Sequence, residues 1–226
     1  MKKFLEQNKL TVFMAIYGLF YLIAFGCLEN RDVRVHIIHT KFDEIIPFCE
    51  YFIIPYVFWF VYMIGTILYF LFQSKDEKES KGYIYSLCAG MGVFLLVSLL
   101  YPNGHDLRPE LTGNGFFIWC VKLLHRLDTA TNILPSLHVF GTVVCSAALL
   151  RQQELRKKKG FVPFIYICSV LIVLSTMFLK QHSIVDVVTA LVLNCACYKV
   201  FYNIDFEELE EKRRCGRRKF LQSPTF

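Results

Sequence analysis

Two histidines, an aspartate, an arginine, a lysine and a serine stand out in this 226-residue sequence. Each borders an apolar run that otherwise carries almost no charge. The stretch 178–188 reads Phe-Leu-Lys-Gln-His-Ser-Ile-Val-Asp-Val-Val, with Lys180, His182 and Asp186 at the joint between two such runs. With a helix opening at His182, Asp186 lies one turn on and on the same face. Its carboxylate can hold one imidazole nitrogen while the other faces outward. Such a pair at the rim of a membrane bundle is costly to keep, which makes it a functional hypothesis by default. Ser183-x-x-Asp186 also reads as a helix capping box, with His182 a loop residue beside it.

Two further segments add to this set. Pro135-Ser136-Leu137-His138 opens another apolar run, and Arg108-Pro109 follows a third. A phosphate group carries about −1.5 to −2 charges at neutral pH and takes fixed donors. Arg108 offers a planar fork, Lys180 a point charge and Ser136 a hydroxyl. Helix starts near Pro135 and Ser183 offer free N–H groups. These residues read together as an anion site. His138, His182 and Asp186 also make a two-histidine, one-carboxylate set for iron or zinc. Arg108 and Lys180 would repel a divalent cation and complement a phosphoryl group, so the site is expected to hold no metal and no cofactor.

The elements that must position these residues follow from composition. The chain is 55% hydrophobic and 16% aromatic, too apolar for an ordinary soluble domain. Apolar runs of about 20 residues suffice to cross a bilayer. Spans are expected over 10–28, 46–72, 83–101, 135–150, 161–179 and 183–202. Lys2 and Lys3 before the first run resemble a signal peptide. The run's length and its lack of a small-x-small cleavage site instead predict an uncleaved first span. Pro47 and Pro55 are expected to start and bend the second span, and Pro135 to be the first residue of the fourth helix. Residues 29–45 read as an interfacial segment and 116–127 as a short amphipathic piece. His105 and Asp106 read as solvated, His125 and Arg126 as part of the amphipathic piece, and Asp128 and Asn132 as braces of the turn into Pro135. Nine cysteines show no C-x-x-C pair, and those in apolar runs read as small apolar side chains.

Six spans put both termini on one side. Of the 25 basic residues, 17 fall on that side, seven on the other, and Lys199 sits at the inner end of the last span. The positive-inside rule then predicts cytoplasmic termini. The expected layout is a membrane domain over 1–203 and a basic cytoplasmic tail over 204–226 that meets anionic lipid. No motif supports nucleic-acid binding. The Arg108, His138 and His182 segments all fall on the outer side.

In order and spacing these segments resemble the type 2 phosphatidic acid phosphatase superfamily, whose motifs are K-x6-R-P, P-S-G-H and S-R-x5-H-x3-D. The first survives as Arg108-Pro109, with Tyr101 in the lysine's place. The second is Pro135-Ser136-Leu137-His138, with leucine for glycine. The third is Ser175-Thr176-x5-His182-x3-Asp186, with threonine for arginine. The forms here are similar to the branch of inositol phosphorylceramide synthase and sphingomyelin-synthase-like transferases.

The resemblance implies an all-α, six-span bundle of the phosphatidic acid phosphatase and haloperoxidase-like type. It implies His182 as nucleophile, Asp186 orienting it, and His138 as acid and base. Arg108, Lys180 and Ser136 would hold the phosphoryl oxygens. A lipid phosphatase in the cell membrane, acting at the outer face, is the first expectation. A phosphotransferase moving a phospho-head group to a lipid alcohol is the alternative. A transporter or assembly subunit is a third reading, disfavoured by charge gathered at one rim rather than the midplane.

Overall fold

The structure, a computed structural model, describes residues 9–204. The expected basic tail and Lys2 and Lys3 lie outside these residues. Five helices are long and apolar enough to cross a membrane: α1 (Lys9–Glu29), α3 (Ile53–Phe72, entered through a 3₁₀ turn at Glu50–Phe52), α4 (Glu77–Leu100), α8 (Phe161–Phe178) and α9 (Ile184–Phe201). Shorter helices are α2 (Lys41–Ile45), α5 (Phe116–Leu127), α6 (Leu137–Arg151) and α7 (Gln153–Arg156). Large apolar side chains such as Ile16, Val61, Leu100, Ile167 and Val192 point outward, as lipid-facing helices require.

α6 occupies the middle. It packs against α3, α4, α8 and α9, while α1 lies outside against α4. At 15 residues, α6 is about 22 Å long, short of the ~30 Å hydrocarbon layer. The other helices screen it, so its sequence can be small and mixed: Gly141, Thr142, Cys145, Ser146 and Ala148 are all buried. Contact with α4 is close at Gly90, where an added Cβ would lie 1.9 Å from the Phe140 ring.

Caps account for the boundaries that differ from expectation. α4 begins six residues before Tyr83, because Asp76 accepts the Glu79 N–H at 3.0 Å and Glu77 and Glu79 occupy the positive first turn. Glu79 is buried there against Arg151, with two contacts of 2.6 Å. Pro135 precedes α6 through a cis bond, and Ser136 is the N-cap. Pro55 lies in the first turn of α3, where no intrahelical donor is needed, so it starts the helix rather than interrupting it. The all-α expectation needs one amendment: β1 (His36–Ile37) pairs in parallel with β2 (Asn103–Gly104) and ties the segment after α1 to the segment after α4. The described cysteines are free thiols.

Candidate active site

Six helix ends meet at one rim: the C-termini of α1, α4 and α8 and the N-termini of α3, α6 and α9. Ser183 caps α9 and Asp186 completes the capping box, its Oδ2 accepting the Ser183 N–H at 2.9 Å. That same Oδ2 lies 3.4 Å from His182 Nδ1, with both side chains buried. The cap and the pair are therefore not alternatives. One carboxylate fixes the helix start and faces Nδ1, which must donate to it, leaving Nε2 at the far edge of the ring.

His138 follows the N-cap of α6 by two residues. Its ring stacks on Tyr56 at 4.4 Å and packs on Trp59 at 4.2 Å and Phe60 at 6.2 Å. The two imidazole centroids are 5.7 Å apart, and His138 Nε2 is buried without a hydrogen-bond partner. The helix starts are tied directly, the Ser136 N–H donating to the Asp186 carbonyl at 3.2 Å. Both rings line one cavity of about 70 Å³, with Asp128, Asn132 and Gln181 on its polar side and Phe25, Phe94 and Leu137 on its apolar side.

The three residues expected to hold phosphate sit otherwise. Arg108 donates through Nη1 to the carbonyls of His125 (3.4 Å) and Asp128 (2.9 Å). Through Nη2 it donates to the Thr129 carbonyl (3.0 Å) and Gln181 Oε1 (2.7 Å). It braces the turn after α5 and fixes the residue before His182. Burial lowers its pKa. The Lys180 ammonium donates to the Asp43 carbonyl and is not among the cavity-lining residues. Lys180 has φ of 56°, the left-handed turn that ends α8. The Ser136 hydroxyl is fully buried and accepts the Val139 N–H at 3.4 Å. The variant motif positions are also accounted for. Thr176 bonds back to the Val173 carbonyl at 2.7 Å, and Tyr101 stacks on His36 at 4.4 Å.

Sequence reasoning missed Asp43. It is buried, and its Oδ2 accepts from the Ser183 hydroxyl (2.7 Å) and the Thr40 N–H and hydroxyl (both 2.8 Å), while Oδ1 accepts the Ile184 N–H at 2.8 Å. Burial opposes its ionisation, yet these bonds prevail and hold its pKa below the usual carboxylate value. Thr40-x-x-Asp43, a capping box in its own right, was the available signal.

His105 is buried rather than solvated. Its Nδ1 accepts the Leu107 N–H at 3.1 Å, and burial, reinforced by His182 and Arg108, pushes its pKa down to about 3. His125 falls to about 4 through burial and Arg108. Asp106, in contrast, stays outside and pairs with His39 at 2.8 Å. Asn132 does not cap the turn into Pro135: its amide donates to Glu29 at 2.7 Å, and Asn103 holds that turn instead, its Oδ1 accepting from the Ile133 and Leu134 N–H groups. Among the described residues, no three His, Cys, Asp or Glu side chains gather as a metal-holding group.

No family model and no solved structure matches this chain. It is similar to an uncharacterised protein of the archaeon Methanocaldococcus jannaschii, at 24% identity over 210 residues that cover 85% of this chain and 84% of that protein.

Proposed function

We propose that this protein is a membrane-embedded lipid phosphatase of the type 2 phosphatidic acid phosphatase kind, working through a phosphohistidine. The observation that carries the reading is the His182–Asp186 contact with the His138 ring 5.7 Å from His182, all at one rim and the two rings in one cavity. Uncommitted imidazole nitrogens facing a shared space suit a nucleophile and a proton carrier.

His182 Nε2 attacks phosphorus as the bond to the lipid alcohol oxygen breaks, and His138 gives that oxygen its proton. Water then attacks the phosphohistidine. His138 takes the water's proton, and phosphate leaves as the P–N bond breaks. Asp186 keeps the proton on Nδ1 and stabilises the imidazolium formed between the two steps. The α6 start lies at the same rim and offers a phosphoryl group a positive helix end, whereas the first N–H groups of α9 are already taken by Asp186, Asp43 and the Ser183 hydroxyl. The apolar side of the cavity, with Phe25 and Phe94, suits a lipid's glycerol or chain end. The excess of lysine and arginine on the opposite side favours an outward-facing site in a six-span arrangement, with α6 the short central span.

The test is phosphate release from a panel of lipid phosphates by the purified protein with a chelator present, with and without an added lipid alcohol. Release into water supports a phosphatase, whereas phosphate captured on the alcohol supports a transferase. Release undiminished in His138→Ala and His182→Ala removes both.

A further inference from the structure

The amphipathic helix α5 ends at Asp128, and that residue carries more than a turn. It lines the cavity with His138 and His182. Its Oδ2 accepts from the Tyr56 hydroxyl at 3.3 Å, and Tyr56 is the ring stacked on His138. Its carbonyl is held by Arg108, and the next residue, Thr129, is held by Arg108 and Glu29. Asp128, a cavity-lining residue, is therefore fixed through its carboxyl, its carbonyl and its neighbour Thr129.

A carboxylate there is awkward for an anion site. Arg108, the nearest fixed positive charge, has its Nη donors on carbonyls and Gln181. An ionised carboxylate about 4 Å from a phosphoryl oxygen would weaken its binding by on the order of 10²–10³-fold. A carboxylic acid at the same place would instead donate a hydrogen bond, as neutral buried acids do in other anion-stabilising sites.

We propose that Asp128 is a ligand-contacting residue of this cavity, presenting a protonated carboxyl that donates to a non-bridging oxygen of the phosphoryl group between His138 and His182. The proposal rests on the phosphatase reading and adds a residue and a protonation state to it. The groups facing Asp128 are Tyr56 from α3, Arg108 from the loop after β2, His182 from the α8–α9 joint and Glu29 from α1. Burial raises its pKa, with Glu29 in the same direction and His182, Arg108 and the Tyr56 hydroxyl against it. Ligand binding through the protonated form is strongest at low pH and weakens as the carboxyl ionises with rising pH.

Inorganic phosphate binding to the full-length protein in detergent, measured by calorimetry from pH 5 to 8, separates the possibilities. Asp128→Asn keeps the shape and a donor but cannot ionise, and the ratio of its affinity to wild type cancels the titrations of phosphate and of the histidines. Asp128→Asn is expected within about 3-fold of wild type at pH 5 and at least 10-fold tighter at pH 8, while Asp128→Leu loses 10-fold or more at pH 5. A ratio flat with pH, or Asp128→Asn as weak as Asp128→Leu, overturns the assignment while leaving the phosphatase intact. A wild-type protein that neither binds phosphate nor releases it from any lipid phosphate removes both.

Discussion

Replacing Asp43 with asparagine tests how the rim is held together. In the folded protein Asp43 receives four hydrogen bonds from Thr40, Ser183 and Ile184. Asparagine can keep the Ile184 N–H on its carbonyl oxygen. Its amide then faces the Thr40 N–H, donor against donor, and the buried Ser183 hydroxyl and half-buried Thr40 hydroxyl lose a charged acceptor. Bonds to charged groups contribute about 1.5–3 kcal/mol each, and an orphaned buried donor costs ~1–3 kcal/mol. Counting one orphaned N–H and one weakened hydroxyl gives about 2–4 kcal/mol, or roughly 5–15 °C in melting temperature for a chain of this size. The sign with pH is also set. A carboxylate whose pKa is lowered on folding stabilises the protein above its ordinary unfolded value, about 3.9, and loses that contribution only as pH falls through the lowered value. Thermal unfolding in detergent should therefore show a wild-type advantage that is constant from pH 8 to 5 and closes below about pH 4. Melting within 1 °C of wild type at pH 7, or a gap that changes between pH 5 and 8, would refute the reasoning.

Gly90→Ala should destabilise the α4–α6 contact by about 1–3 kcal/mol, because its Cβ meets the Phe140 ring. Adding Phe140→Leu should recover part of that loss, and thermal melts of both variants check it. Arg108→Lys keeps the charge but not the fork that grips three carbonyls and Gln181; an expected loss of about 1–3 kcal/mol should appear as faster proteolysis after α5 and reduced turnover. Arg151→Ala leaves the buried Glu79 carboxylate without its partner at the opposite rim. With the Arg151 side chain itself part exposed, it should cost ~1–3 kcal/mol in stability, and protein that still folds should keep its turnover.

The apolar segments and the helix-starting residues were legible because each signal is local. Runs of lipid-compatible residues mark α1, α3, α4, α8 and α9, and Ser183 marks the start of α9 by its own side chain, whereas Pro135 reads as the first residue of α6 although Ser136 is its cap. His138, His182 and Asp186 were legible because Asp186 is one helical turn from its partner and all three adjoin those starts. Long side chains were not. Lys180 and Arg108 can reach several angströms in any direction, and their partners, the Asp43, Asp128 and Thr129 carbonyls, are 20 or more residues away. Asp43 looked like one charge among many in a mixed segment, because its role depends on α9 arriving beside it. His105 looked solvated beside Asp106, yet β1–β2 pairing turns the two neighbours to opposite environments. The short α6 reflects burial by its neighbours, a property of the assembled bundle.

The most direct test of the account is the covalent step. Incubating the protein with a ³²P-labelled lipid phosphate, quenching in alkali and mapping the labelled peptide should give an acid-labile phosphohistidine at His182. The label should be absent in His182→Ala, and it should accumulate if His138→Ala slows its discharge. Turnover of the same substrate by His182→Ala at the wild-type rate, or a label on any other residue, would contradict the account.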